Sequence, residues 1–112
     1  MKEKSNNIWQ IQVRKGLIEY SILFILSKKN LHGYGIVQEI RMLDGFEVTE
    51  SAIYPILSRF HKVKMLALIK EPSEVGPPKS IYSITALGKT RLLIMRKFLK
   101  RINQSIYAMT NK

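Results

Sequence analysis

The sequence predicts a mainly α-helical domain with one small β-hairpin and a long closing helix. Three observations carry this. Apolar residues recur at helical spacing through three successive stretches. The period then changes around Glu71-Pro72-Ser73-Glu74-Val75-Gly76-Pro77-Pro78, a run of turn-forming residues. Finally, the C-terminal stretch has apolar positions spaced 3, 4, 3, 4, 3. At 112 residues the chain has the size of one domain, and at 46% apolar it has the means to pack a core.

Ile8 to Lys29 reads as a long first helix, with Ile11, Leu17, Ile18, Ile22 and Leu26 at helical spacing. Its segment Ile22-Leu23-Phe24-Ile25-Leu26 is apolar all round and is expected to be deeply buried. Gly16 lies inside it, against helix propensity. A turn is expected at Asn30 to Gly33. A short second helix follows over His32 to Asp44, with Tyr34, Ile36, Val37 and Ile40 facing inward, and Asp44-Gly45 stops it. Thr49 is a suitable N-cap for a third helix over Glu50 to Lys62, and Glu50 suits its positive first turn. Ile53, Leu57 and Phe60 form one buried stripe there. Pro55 breaks a local rule, because a proline inside a helix removes a hydrogen bond and bends it. Leu66 to Lys70 and Lys79 to Ile84 read as two strands of a hairpin. Thr85 then caps a last helix from Ala86 to about Thr110. No internal repeat is present.

Composition excludes several functions. The chain has no cysteine, hence no disulfide, thiolate nucleophile or cysteine zinc site. His32 and His61 do not stand at metal-ligand spacing with an acid, so neither a metal site nor a cofactor is expected. Gly33-Tyr34-Gly35 does not continue as a nucleotide fingerprint. Glu39, Asp44, Glu47 and Glu50 cluster in sequence without forming a tuned acid–base pair. An enzyme is therefore not expected. The start of the chain does not resemble a signal peptide, and the longest apolar run, Ile22 to Leu26, is far short of the roughly 20 residues of a membrane span. A cytoplasmic protein without stable membrane insertion is expected.

The net charge of +11 points to a polyanionic partner, nucleic acid before membrane. Three helices followed by a hairpin is the order of a winged helix-turn-helix, here residues 8–84, in which the third helix enters the DNA major groove. What the buried stripe of that helix leaves exposed is Ser51, Tyr54, Ser58, Arg59 and Lys62. Serine and arginine hydrogen-bond base edges or phosphates, and Lys62 suits a phosphate. Tyr34 joins the candidate DNA contacts. Lys79, beside Pro77-Pro78, gives the hairpin a rigid basic tip suited to a wing on the DNA backbone. A winged helix that contacts another protein is the alternative.

Four segments together resemble a known family. They are Arg14-Lys15-Gly16-Leu17, Gly33-Tyr34-Gly35-Ile36, Ile53-Tyr54-Pro55-Ile56-Leu57-Ser58-Arg59-Phe60, and Gly76-Pro77-Pro78-Lys79 to Tyr82-Ser83-Ile84-Thr85-Ala86-Leu87-Gly88. In this order they are similar to the PadR family of transcriptional regulators, over about Gln12 to Leu93. The resemblance rationalises Pro55, since a proline there is usual in the family. It implies a homodimer that binds double-stranded operator DNA and usually represses. It also implies DNA contacts from Tyr54, the exposed face of the third helix and Lys79. The sequence departs from the family at Ser80 and Ile81, which replace a basic and an aromatic residue. It departs again at Val63-Lys64-Met65, which stands where the family often has glycine.

The last helix, within residues 85–110, is independently legible. Leu92, Met95, Leu99, Ile102, Ile106 and Met109 make a heptad-like seam, and from Thr85 to the end there are seven Lys or Arg and no acid. The first reading is a dimerisation helix, with Trp9 and Val13 of the first helix as the natural other half. Packing on its own domain and lying on an anionic membrane are the alternatives. Paired basic helices repel, so pairing should tighten with salt while DNA binding weakens. Trp9, Met95 and Phe98 could also line a pocket at the dimer interface for a small aromatic effector, as in some relatives, although ordinary packing explains them as well. Residues 1–84 carry twelve basic and eight acidic groups, so most of the excess charge lies outside the expected reading head.

Overall fold

The computed structural model describes residues 2–77 and 79–111, with side chains from residue 7 onward. Four helices surround a small three-stranded antiparallel sheet in the order α1 (Lys2–Lys28), β1 (Leu31–His32), α2 (Gly33–Arg41), α3 (Glu50–Lys62), β2 (Leu66–Glu71), β3 (Lys79–Ile84), α4 (Ala86–Thr110). The mainly α, winged helix-turn-helix architecture is thus as the sequence predicts, and α3, β3 and α4 have the expected bounds.

One hydrophobic core joins the elements. It takes Ile18, Ile22, Leu23 and Leu26 from α1, Ile36, Val37 and Ile40 from α2, and Ile53, Ile56, Leu57 and Phe60 from α3. Val48, Met65, Leu66 and Leu92 close it. The apolar run of α1 is not buried all round. Consecutive residues on a helix point to every side, and Phe24 points away from α2 and α3, 36% exposed. It stacks on Tyr20, with ring centroids 6.3 Å apart, and Lys28 Nζ lies 5.2 Å from its centroid.

The segment expected as a plain turn holds a third strand. β1 pairs with β3 through Leu31↔Tyr82 and His32↔Ile81, giving the sheet order β1-β3-β2. His32 then ends the strand and caps α2, its Nδ1 accepting the Gly35 N–H at 3.1 Å. The ring proton of neutral His32 must therefore sit on Nε2. α2 ends at Arg41, three residues before the expected stop, in tighter turns from Met42 N–H to the Glu39 carbonyl and Leu43 N–H to the Ile40 carbonyl. Tyr34 does not belong to its inward face; it lies in the first turn, 44% exposed.

The α3–β2–α4 junction is tied by one side chain. Thr85 Oγ1 accepts the Gly88 N–H at 3.1 Å, and its proton is shared between the carbonyls of Lys64 (2.7 Å) and Met65 (3.0 Å). Gly88 packs so closely on the Met65 carbonyl that a Cβ there would clash. Lys64 turns the chain with φ 70°, a left-handed conformation.

Candidate nucleic-acid interface

α3 presents two unlike faces. Ile53, Ile56, Leu57 and Phe60 are buried, while Ser51, Tyr54, Pro55, Ser58, Arg59 and Lys62 are exposed. With about 3.6 residues per turn, Ser51, Pro55, Ser58 and Lys62 fall opposite the buried stripe, and Tyr54 and Arg59 flank them on either side. Thr49 holds the N-cap position, but its hydroxyl lies 2.9 Å from Ser51 Oγ and makes no bond to the helix N–H groups. Of the first-turn N–H groups, that of Ala52 donates to the Thr49 carbonyl at 3.1 Å. Pro55 is exposed in the second turn of the helix.

Tyr54 is held, not merely exposed. Its ring lies over Gly33, where a Cβ would stand 2.6 Å from Tyr54 Cε1. Only a glycine admits the ring at this distance. Partial burial, then the carboxylate of Glu50 and the phenols of Tyr82 and Tyr34, hold the Tyr54 pKa above its ordinary value. The phenol thus keeps its proton and can donate to a phosphate oxygen. Gly33, His32, Tyr82 and Glu50 shape this corner. Sequence reasoning missed Gly33, His32 and Tyr82 because they come from other elements, whereas Glu50 lies one turn before Tyr54 on α3 and its i, i+4 spacing was the available signal.

Arg59 and Lys79 are less free than the sequence suggests. Arg59 Nη2 donates to Glu19 Oε2 of α1 at 2.6 Å, and its guanidinium lies 5.4 Å from the Phe60 centroid. Lys79 opens β3 in register with Glu71 of β2. Beyond it the loop carries Glu74 and the exposed Val75, and it turns at Gly76 with φ 84°. The expected basic tip is therefore a lysine at the base of the loop, opposite an acid, with a second acid further out.

The seam of α4 divides. Leu92 lies in the core of its own chain and is not open to a partner as the sequence suggests, while Met95 packs against that core and stays half-buried. The reason is register: the first turns of α4 run beside β3 and α1 before the helix leaves the body. Ile102, Ile106 and Met109 remain exposed, and Leu99 is half-buried. Between α1 and α4 runs a groove of about 630 Å³ lined by Val13, Leu17, Tyr20, Leu99, Ile102 and Ile106, among others. Met95 and Phe98 line a smaller recess of about 280 Å³ with Gly16. Trp9 is not brought to it; it lines another recess beside Asp44, Gly45 and Phe46. No helix among the described residues is long and apolar enough to cross a membrane.

Comparison with known proteins agrees with this geometry. The model of the transcriptional regulator PadR-like family matches residues 22–93, more than half of the chain. A PadR-like transcriptional regulator from Bacillus cereus superposes with a TM-score of 0.81 at 27% identity, over 90% of this chain and 98% of that one. A PadR-like transcription factor from Bacteroides fragilis gives 0.75 at 28%, over 88% and 94%. A Streptococcus mutans protein gives 0.78 at 30%, over 87% and 89%. An uncharacterized protein of Lysinibacillus sphaericus is 30% identical over 80 residues, 70% of this chain and 73% of its own. With the family matched from the last two turns of α1 through the wing to the first turns of α4, the chain belongs to the PadR-like family and is a DNA-binding transcriptional regulator, not an enzyme.

Proposed function

We propose that the chain acts as a dimeric repressor whose α3 reads the major groove of a near-palindromic operator. The observation that carries this is the exposed stripe Ser51, Ser58 and Lys62 of α3, flanked by a Tyr54 ring fixed on Gly33. A helix held by a fully buried opposite face presents those groups rigidly, as base-edge and phosphate recognition requires. Tyr34, in the first turn of α2, adds a second phenol beside Tyr54, and Lys79 places the wing on the flanking backbone.

The second copy covers the α1–α4 groove. Val13, Ile102 and Ile106 are exposed apolar residues along it, and Trp9 and Met109 are exposed apolar residues further along the same two helices. Two α3 helices then sit about 34 Å apart, one turn of DNA. A flat aromatic effector would use the Met95–Phe98 recess, with Trp9 supplied from the other side once two copies assemble. Selection of bound duplexes from a random pool tests the whole scheme. It should return paired half-sites at that spacing, and Tyr54→Ala combined with Lys79→Ala should weaken binding to them at least tenfold. Unchanged affinity in that double variant would refute the docking.

A further inference from the structure

Arg59 belongs by sequence to the reading helix but is ion-paired in the free protein. The Arg59–Glu19 bond spans forty residues, measures 2.6 Å and joins α3 to α1. Glu19 is the less exposed partner, at 29% against 53% for the arginine side chain. Across the same cleft, Arg14 is committed to the α2–α3 loop, its Nε donating to the Gly45 carbonyl at 2.6 Å. Lys15 of α1 also lines this cleft, but Arg59 is the cation of α3 itself that can turn either to the Glu19 carboxylate or to a phosphate outside the protein. While the bond lasts the pair is electrically neutral toward DNA, and its exposure keeps the cost of breaking it modest. Freeing Arg59 has a second consequence: it leaves the Glu19 carboxylate facing a polyanion.

We propose that Glu19 limits the affinity of the interface, withholding Arg59 from DNA until α3 is fully seated in a cognate major groove. This inference rests on the major-groove role proposed above for α3. On random DNA, loose contacts do not repay breaking the pair, so Arg59 adds nothing to non-specific affinity. On the operator, the close approach of the backbone to α3 draws the guanidinium across to a phosphate oxygen. The carboxylate therefore lowers affinity on both DNAs: on random duplex by the phosphate contact that is forgone, and on the operator by the larger cost of breaking the pair.

The test compares the wild type, Glu19→Gln, Arg59→Gln and the double variant on the selected operator and on random duplex over a range of salt. Glutamine keeps the size of Glu19 and its acceptor oxygen while removing the charge. Glu19→Gln should bind random duplex several-fold more tightly. Its dependence of log affinity on log salt there should steepen by about 0.9, the release associated with one added phosphate contact. Operator affinity should rise at least as much, because there the wild type breaks the pair and the variant has none to break. In the Arg59→Gln background, Glu19→Gln should leave that slope unchanged, because the carboxylate acts through the arginine. A wild-type slope for Glu19→Gln on random duplex overturns the proposal. So does an equal loss on both DNAs together with a lower melting temperature, which would make the pair a strut between helices. A wild type that selects no sequence at all refutes the role of α3 instead, a result visible without any variant.

Discussion

Gly33 and Tyr54 show how much of the interface depends on one missing side chain. The motif Gly33-Tyr34-Gly35 is visible in the sequence, and so is the exposure of Tyr54. Their contact is not, since twenty-one positions and a strand pairing separate them. A methyl group at Gly33 would overlap the Tyr54 ring, with 2.6 Å to Cε1. Relief by backbone motion is resisted, because His32 both pairs with Ile81 and caps α2. The ring must swing instead. Gly33→Ala should therefore destabilise the fold by about 1–2 kcal/mol, as overpacking does. It should also weaken operator binding about as much as Tyr54→Ala. The two substitutions should be far from additive, since removing the ring removes the clash. Urea unfolding and gel shift on the single and double variants measure both effects; additive losses would place the Gly33 effect elsewhere.

Elements with a strong period of their own were legible, and elements made by distant pairing were not. α3 and α4 have apolar stripes several turns long, and β3 alternates between turn residues and the capping Thr85, so their bounds follow from local sequence. β1 has two residues, which carry no period, and exists only because β3 offers an edge to Leu31 and His32. The junction after α3 lies between these cases. Val63-Lys64-Met65 shows in the sequence as a place without glycine, but the demand for one becomes evident only from the φ of 70° at Lys64. The chain must reverse there for β2 to begin while the carbonyls of Lys64 and Met65 reach Thr85. A left-handed residue with a Cβ is disfavoured by roughly 1–2 kcal/mol relative to glycine, and glycine regains part of that as unfolded-state entropy. Lys64→Gly should consequently stabilise the protein, by about 0.5–1 kcal/mol in urea unfolding. Operator affinity should fall only by the loss of one exposed lysine two residues beyond Lys62. Destabilisation would mean that the lysine side chain contributes more than its backbone strain removes.

At the scale of the molecule, burial separates what the sequence joins in one seam. Leu92 to Met109 reads as a single apolar ladder, and sequence alone cannot say where the chain's own core ends and a partner begins. Leu92 is in the core at 9% exposure, whereas Ile102 and Ile106 stand at 41% and 49% on a helix that has left the body. The chain extends 58 Å along its longest axis, and the far part of α4 carries an exposed apolar face. The same helix lacks acids, so two copies paired along it would repel electrostatically while their apolar faces attract. These features separate two kinds of substitution. Leu92→Ala should cost about 2–4 kcal/mol of folding stability, as truncation in a core does. Ile102→Asp with Ile106→Asp should leave the fold of each chain intact, since both sites already face solvent in the single chain. If α4 pairs across the groove, the aspartates would be buried between copies and the dimer should dissociate. Sedimentation velocity with circular dichroism reads both outcomes: monomers of undiminished helicity for the double aspartate variant, and wild-type pairing that tightens with salt as the basic helices are screened. A variant that stays dimeric would move the interface off α4.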